Sequence, residues 1–295
     1  MTLHPPAQLH IFIPSYQNPD LLTETLEALT RALGRDLRDG RVLATCVDDA
    51  SPQSLEPVVR SSGHGLVEYV RNEENLGIIP NFNHCIQLAR APFVMFHGAD
   101  DLMLPSYWPT VAAMIQRFPD AAVYAPGVAE VDARGRRTAS LSYVIKRGLS
   151  PWLARFRMVR LGGKPLAFRL AIGDFLYFPG LCWRTEDLQR QPFDPRWSDA
   201  ADWHRLFLFA IEKRPLVVDH RTPVFHYRRH SGSASEVSAG SGARFENERN
   251  LGIHMYQLCR DKGWWLAAAM GWLHPMVRLN ALSRRLRGAR FKRQR

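Results

Sequence analysis

The chain has 295 residues, of which 46% are apolar and 23% charged, a composition that excludes disorder, collagen and coiled coil as descriptions of the whole protein. The net charge is +11, but eight Lys or Arg and no acid lie within residues 278–295. The first 277 residues therefore hold 31 basic against 28 acidic residues, or +3. This nearly neutral body disfavours a nucleic-acid groove, and the cationic tail favours an anionic surface as partner.

The spacing of the cysteines and the lengths of the apolar runs predict a cytoplasmic location. The four cysteines form no CxxC pair, which indicates neither a zinc site nor a disulfide framework. Residues 1–10 lack the basic and apolar regions of a secretory signal. The apolar run at residues 264–273 is about half the roughly 20 residues that a spanning helix needs. We expect a cytoplasmic protein that can lie on a membrane without crossing it.

The first hundred residues alternate strand-like and helix-like segments, which predicts a parallel sheet covered by helices. Strands are expected at 9–14, 42–47, 66–70 and 93–97, and helices at 20–33 (ending at Gly34), 54–60 and 79–90. Ligands bind beyond the carboxyl ends of the strands in such sheets. Two acidic pairs, at residues 48–49 and 100–101, are therefore expected at one rim.

The second half of the chain is less regular. The pattern predicts a helix at 106–118, two strands within 121–136, a strand and short helix within 173–188, a helix at 198–213 capped by Ser198, and a strand at 216–220. Residues 138–172 give no clear pattern. A Ser- and Gly-rich loop at 227–241 precedes a helical end. We divide the chain into an α/β domain at 1–240 and a basic helical extension at 241–295.

Each acidic pair has two interpretations. Asp100 and Asp101 suit a hard cation such as Mg²⁺ or Mn²⁺, or they cap the helix that begins near Pro105. Asp48 and Asp49 have the same ambiguity, since the segment DDASP also makes a turn and a helix cap. Several classes are disfavoured because their motifs are absent: GxGxxG after the first strand, GxxxxGK[ST], and GxSxG.

Five segments, taken in order, resemble the inverting glycosyltransferases of family two: IFIPSYQN (11–18), VDDAS (47–51), RNEENLG (71–77) with Asn81, HGADD (97–101) and YRRHSGSAS (227–235). The resemblance covers roughly residues 8–235. It implies an α/β GT-A fold, a Rossmann-like, mostly parallel sheet with helices on both faces, here followed by the C-terminal helical extension.

The resemblance also implies a site for a nucleotide-diphosphate sugar, such as a UDP- or dTDP-sugar. Asp48 would accept a hydrogen bond from a pyrimidine N–H, Arg71 would flank the base, and Gly77 would let the backbone pass close to the donor. The other residues assigned to the base and ribose are in the first turn: Pro14, Tyr16 and Asn18.

For the diphosphate, the resemblance implies a Mn²⁺ or Mg²⁺ ion. Asp100 matches the second acid of the family's Asp-x-Asp motif, whereas Gly98 stands where many members have the first. Asp100 and Asp101 remain as the metal ligands. Arg228 and His230 would close over the diphosphate, although composition alone equally predicts a solvated basic loop.

The general base is assigned to Asp202. Asp199 and Asp202 lie three apart at the start of a predicted helix, on one face. In the family an acid followed by an aromatic residue opens this helix, which matches Asp202 and Trp203, while Ala201 replaces a preceding Glu. The alternative is a helix-start acid favoured by the helix dipole.

Two functions follow as hypotheses. The first is an inverting glycosyltransferase that acts on a glycan or lipid-linked acceptor in bacterial surface polysaccharide synthesis. The second is a catalytically silent binding protein of the same fold, motivated by Gly98 and attached to membrane or nucleic acid by its tail. No oligomeric state is predicted.

The tail is expected to be a peripheral anchor on the inner face of the cytoplasmic membrane. The alternative is that its apolar stripe packs on the catalytic domain or on a second subunit. Nucleic acid is the least favoured partner. The predicted amphipathic helix has cations at Arg278, Arg284, Arg285 and Arg287 between the apolar residues Trp264, Trp265, Leu266, Met270, Leu273, Val277, Leu279, Leu282 and Leu286.

Overall fold

The computed structural model describes residues 6–150, 157–230 and 242–278. Its strands are β1 (Leu9–Ser15), β2 (Val42–Asp48), β3 (Glu68–Arg71), β4 (Phe93–Phe96), β5 (Leu102–Met103), β6 (Val123–Val131), β7 (Met158–Leu161), β8 (Cys182–Arg184) and β9 (Leu216–Arg228). Its helices are α1 (Pro19–Arg38), α2 (Glu56–Ser62), α3 (Ile78–Leu88), α4 (Tyr107–Arg117), α5 (Leu141–Leu149), α6 (Gly163–Ile172), α7 (Thr185–Arg190), α8 (Ala201–Ile211), α9 (Gly242–Asp261) and α10 (Trp265–Leu273).

One sheet organises the molecule, with strand order β3-β2-β1-β4-β8-β6-β9-β5 and β7 paired to β9. Strands β1 to β4 are parallel to one another, whereas β8 is antiparallel to both β4 and β6. The register sets Ser15 opposite Asp48 and Asp48 opposite Arg71. The carboxyl ends of the first three strands of the chain therefore meet at one edge, as predicted.

Alternating side chains divide the core between the two faces of the sheet. In β1, Phe12 packs into the core under α3, α6, α8 and α9, while Ile11 and Ile13 pack into the core under α1, α2 and α4. The fold class is confirmed: a largely parallel sheet has helices on both faces, and helices follow at the C-terminal end.

Several predicted boundaries are wrong. Helix α1 continues through Gly34 because Leu37 is also buried, and it ends before Gly40, whose φ is 69°. The two strands expected within 121–136 are one strand, β6, whose register against β9 shifts at Gly127. A Cβ on Gly127 would overlap the Thr222 carbonyl, so glycine permits this close approach.

Two further corrections concern the second half. Ser198 does not cap α8, since a 3₁₀ turn at Pro195–Ala200 precedes the helix. The predicted strand at 216–220 extends to Arg228, so the loop begins later than expected. The unassigned region contains α5, β7 and α6.

The C-terminal helices pack on the body of the protein. Leu251 and Met255 of α9 and Ala267 of α10 are fully buried in the core that includes α6 and α8. The predicted continuous helix from residue 264 onward is interrupted, because α10 ends at Leu273 and His274 has a left-handed backbone before Pro275. Leu279, Leu282 and Leu286 lie outside the described residues. Within the described part of the chain, no helix is long and apolar enough to span a bilayer.

Candidate active site

The turn after β1 is joined to the end of β2. Gln17 and Asn18 have φ values of 59° and 56°, which direct the chain from the strand into α1. The Gln17 amide donates to the Ser51 hydroxyl at 2.9 Å, and Pro14 lies opposite Val47 in the sheet. Tyr16 remains 46% exposed at this rim. The structure thus brings together the two segments predicted to bind the nucleoside.

The Asp48 carboxylate is completely buried under its own hydrogen-bond donors. Its Oδ2 accepts from the Tyr69 hydroxyl and from Arg71 Nη1, both at 2.7 Å, and its Oδ1 accepts from the Ser51 amide at 2.9 Å. The Leu55 amide donates to Oδ2 at 3.2 Å. Direct contact between Asp48 and a base therefore requires Arg71 or Tyr69 to move aside.

These contacts also fix the charge of the cluster. Burial alone would raise the pKa of Asp48, but the hydrogen bonds from Ser51, Tyr69 and Leu55 outweigh it and hold the pKa below its usual value. The ionised carboxylate orients Arg71, whose Nη2 also donates to the Ser51 carbonyl at 2.6 Å. Arg71 is partly exposed and presents a guanidinium at the rim. Sequence reasoning missed Tyr69, which is an ordinary aromatic residue of a predicted strand.

Asp49 holds the segment that contains Gly77. Its carboxylate accepts from Asn72 Nδ2 at 2.7 Å and from the Leu76 and Gly77 amides at 2.9 Å. Gly77 has a φ of 81°, and no atom lies within 4 Å of the position of a Cβ. Asp49 is thus a structural residue that shapes the loop, and the space beside Gly77 is open for a ligand.

The two residues of the second acidic pair differ in exposure and in hydrogen-bond partners. Asp100 is partly exposed, and its Oδ2 lies 2.8 Å from His230 Nε2. Asp101 is buried, its Oδ1 accepts from the Arg228 amide at 2.8 Å, and its Oδ2 has no partner among the described residues. Burial and the adjacent Asp100 carboxylate raise the pKa of Asp101 well above its ordinary value.

The surroundings of Gly98 explain why no acid stands at the first position of the Asp-x-Asp pattern. A Cβ at residue 98 would overlap the Asp101 Oδ2 and would lie 3.0 Å from the Asp100 Oδ1. The two later carboxylates therefore occupy the space that a side chain at this position needs. An acid at residue 98 requires a different placement of Asp101.

Asp100 and His230 lie close enough together to share a divalent cation. No group of three or more His, Cys, Asp or Glu side chains is arranged for a metal within the ranges that the structure describes. Mg²⁺ prefers carboxylate, water and phosphate oxygens, whereas Mn²⁺ also accepts imidazole, so one exposed carboxylate and one imidazole can hold Mn²⁺ when a diphosphate supplies the rest. Asp101 has one free oxygen for such an ion but little exposure.

The Arg228 guanidinium is directed toward α1. Its Nη1 pairs with Glu24 Oε2 at 2.6 Å, and the side chain is 3% exposed. The Thr25 hydroxyl on the same helix donates to the Asp101 carbonyl at 3.1 Å. The structure brings His230 to Asp100, whereas contact between Arg228 and a diphosphate requires the ion pair with Glu24 to break.

Asp202 lies in the first turn of α8 and is only partly exposed. Burial, with the nearby Asp174 charge, raises its pKa to about 6 against the opposing effects of the Trp203 amide and Lys146. A carboxylate with this pKa is mostly ionised at pH 7 and is a stronger base than an ordinary aspartate. This is the property that a general base needs.

A polar network connects the surroundings of Asp202 to those of Asp100. Lys146 Nζ donates to Asp174 Oδ2 at 2.7 Å and lies 4.7 Å from the centre of the Tyr177 ring. The Tyr177 hydroxyl donates to Glu130 Oε1 at 3.2 Å, and Arg229 Nη1 donates to the same oxygen at 3.2 Å. Arg229 directly precedes His230. Sequence reasoning missed this network because Lys146 lies in the unassigned region and Asp174 in an apolar run.

A largely parallel sheet with helices on both faces, whose strand ends carry these acidic residues, matches the GT-A fold. The chain belongs to glycosyl transferase family 2, whose family model matches residues 10–177. The resemblance read from the motifs is thereby confirmed.

Solved structures support the fold at low identity. The S. aureus TarS structure in complex with UDP-GlcNAc has a TM-score of 0.61 at 17% identity and covers 86% of this chain and 71% of its own. The mannosyltransferase PcManGT of Pyrobaculum calidifontis, in complex with GDP-Man and Mn²⁺, has a TM-score of 0.60 at 14% identity and covers 95% and 75%.

A curated relative is an uncharacterized protein of Mycobacterium tuberculosis (strain CDC 1551 / Oshkosh), 27% identical over 127 residues. That alignment spans 42% of this chain and 37% of the relative's length.

Proposed function

We propose that this glycosyltransferase moves one sugar from a nucleotide-diphosphate donor to an acceptor hydroxyl, with inversion at the anomeric carbon. One observation carries the proposal: the Asp202 carboxylate lies partly exposed in the first turn of α8, where burial and the nearby Asp174 charge raise its pKa to about 6. Inversion needs one base on the acceptor side and no covalent sugar–enzyme intermediate. The polar network that ends beside His230 supports a single site for the base and the diphosphate.

The step balances as a single displacement. The acceptor hydroxyl gives its proton to the Asp202 carboxylate while its oxygen forms the new bond to the anomeric carbon. The bond between that carbon and the diphosphate oxygen breaks, and its electron pair leaves with the nucleotide diphosphate. General-base assistance contributes about 10²–10⁴ in rate, or roughly 3–5 kcal/mol of the barrier.

On the donor side, Pro14, Tyr16, Asn18 and Arg71 contact the base and ribose, and Gly77 leaves room for the backbone to approach. Asp48 acts by orienting Arg71 and Tyr69 until the nucleotide displaces them. A Mn²⁺ or Mg²⁺ ion held by Asp100, with Asp101 or His230, would neutralise negative charge on the leaving diphosphate. A UDP- or dTDP-sugar is the favoured donor.

The acceptor is a glycan or a lipid-linked glycan in bacterial surface polysaccharide synthesis, at the inner face of the cytoplasmic membrane. The cationic end of the sequence supports this location, because an enzyme that is confined to the surface of its acceptor meets it more often.

The test combines binding and turnover. Calorimetry with UDP, dTDP and GDP, with Mn²⁺ and with chelator, ranks the nucleotides and the metal requirement. Radiolabelled donors that match the favoured nucleotide are then incubated with membrane extracts and soluble glycans, and NMR of the product reports its anomeric configuration.

We expect metal-dependent binding of a pyrimidine diphosphate and a product of inverted configuration. A retained configuration would overturn the mechanism. Nucleotide binding with no turnover on any donor and acceptor would favour the silent binding protein instead.

A further inference from the structure

Helix α10 exposes its large apolar side chains and buries its small ones. Trp265 and Leu266 are each 67% exposed, Trp272 is 61% and Leu273 is 43%. Residues 265 and 272, and likewise 266 and 273, are seven positions or about two turns apart, so the four lie on one helical face, while Ala267, Ala268 and Gly271 are buried on the other. We call the four exposed residues the α10 patch.

The helix cannot rotate to hide this patch. A Cβ on Gly271 would lie 2.9 Å from the Tyr256 amide nitrogen and 3.1 Å from the Gly252 carbonyl oxygen, so α9 and α10 are in close backbone contact. Only small residues fit on that side. The packing therefore requires the tryptophans and leucines to face outward, where a contiguous apolar patch is typical of an interaction surface.

The charge beside the patch indicates the chemistry of the partner. Trp264, which precedes α10, lines a groove of about 680 Å³ together with Lys164, Lys213 and Arg160. No acidic side chain lines this groove, although Arg160 also pairs with Asp120. Arg278 is exposed just beyond α10, and the sequence continues with seven more cations and no acid.

Apolar residues with tryptophan beside cations match the surface of an anionic bilayer, which offers both acyl chains and phosphate groups. A second copy of this chain is disfavoured as the partner, because face-to-face contact would bring the same cations together.

The position of α10 relative to α8 connects this surface to the site. The ring of His274, directly after α10, lies 5.2 Å from the ring of Trp203, centre to centre. Trp203 follows Asp202 and donates its indole N–H to the Leu170 carbonyl at 2.9 Å. The helix that carries the α10 patch therefore ends against the helix that carries the base.

We propose that the α10 patch, with Lys164 and Lys213 at its edge, is the surface by which the protein docks on an anionic lipid bilayer. Docking orients α8 so that a lipid-linked acceptor in the same bilayer reaches Asp202, a consequence that rests on the proposed function. The docking itself is independent of the transfer reaction.

The experiment is co-sedimentation of the full chain with vesicles of phosphatidylcholine alone or with phosphatidylglycerol, without donor or acceptor. We expect binding that requires phosphatidylglycerol and weakens as salt is raised. We expect vesicle binding to weaken at least about tenfold in the quadruple variant Trp265→Ser, Leu266→Ser, Trp272→Ser, Leu273→Ser. The pair Lys164→Glu and Lys213→Glu tests the charged edge and is expected to lower binding as well.

Val144→Ser is the matched control, since Val144 is an exposed apolar residue on α5 and should leave binding unchanged. Thermal unfolding and nucleotide calorimetry show whether each variant is folded. Asp202→Asn should dock normally, which separates failure of docking from failure of the proposed function.

Equal sedimentation of the folded quadruple variant and the wild type would overturn the proposal. The proposal would also be overturned if a chain truncated after residue 278 failed to bind vesicles while the quadruple variant bound them. In that case the tail would be the anchor. A dimeric wild type that ignores vesicles, with a monomeric quadruple variant, would assign the patch to a second copy.

Discussion

The proposed donor side and the proposed acceptor side of this site are built from different kinds of contact. On the donor side, Asp48 is held by donors that all lie within 23 positions of it in the sequence, at the ends of adjacent parallel strands. On the acceptor side, Glu130 meets Tyr177 at a separation of 47 residues and Arg229 at 99. Local sequence motifs describe the first side well and the second poorly.

The two sides also differ in the pKa of their central carboxylates. Hydrogen bonds on the donor side lower the pKa of Asp48, so its carboxylate stays ionised and serves as a fixed acceptor. On the acceptor side burial raises the pKa of Asp202 to about 6, so this carboxylate can exchange a proton near neutral pH. The first arrangement suits positioning of a ligand, and the second suits chemistry.

The largest expected effect is that of Asp202→Asn. The variant keeps the shape of the side chain and removes the base, so transfer should fall by about 10²–10⁴-fold while donor affinity is unchanged. Initial rates with the identified donor, together with calorimetry of the nucleotide, measure the two quantities. Asp199→Asn, three residues earlier, is the control and should retain most activity. A nearly active Asp202→Asn would remove the base from this residue.

Asp48→Ala should act mainly on stability and donor binding. It leaves the Ser51 and Leu55 amides and the Tyr69 hydroxyl without their acceptor, which costs about 2–4 kcal/mol of the free energy of unfolding. Urea unfolding measures this cost, and calorimetry measures the affinity for UDP. Asp48→Asn keeps one acceptor oxygen and should lose less. An unchanged affinity in a folded Asp48→Ala protein would place the nucleoside elsewhere.

The pH dependence distinguishes the two sides. A general base must be deprotonated, so kcat/KM should be constant above neutrality and should fall as the pH drops through about 6. Lys146→Met removes a cation that lowers the pKa of Asp202, so the acid limb should move to higher pH. Asp174→Asn removes a carboxylate that raises this pKa, so the limb should move to lower pH. Movement of both variants in the same direction would contradict this interpretation.

Gly77→Ala has the smallest expected effect. The new Cβ meets no atom within 4 Å, so the cost is only that of a positive φ, about 1 kcal/mol in the free energy of unfolding. Gly148→Ala in α5 is the matched control, because it also meets no atom and should stabilise the helix by about 0.5–1 kcal/mol. Thermal or urea unfolding of both variants measures the difference. A larger loss of nucleotide affinity than of stability at residue 77 would show that the donor passes there.

The sequence by itself determined the α/β fold, the order of the first four strands along the chain, and the position of both acidic pairs at strand ends. Apolar periodicity reports which face of a segment is buried, and the parallel strands β1 to β4 with their helices have regular patterns. The placement of Asp48, Arg71 and Asp100 at strand ends follows from these patterns, since the end of a strand is a local property, whereas their roles are implied by the resemblance to the family.

Only the tertiary structure decided which partners these residues have. Asp48 is covered by Tyr69, Arg228 pairs with Glu24 across 204 residues, and Lys146 reaches Asp174 from a helix with no clear sequence pattern. The outward direction of the tryptophans in α10 depends on the close contact between Gly252 and Gly271. A sequence pattern specifies that a face is apolar or charged, but the partner of that face depends on how distant segments pack in three dimensions.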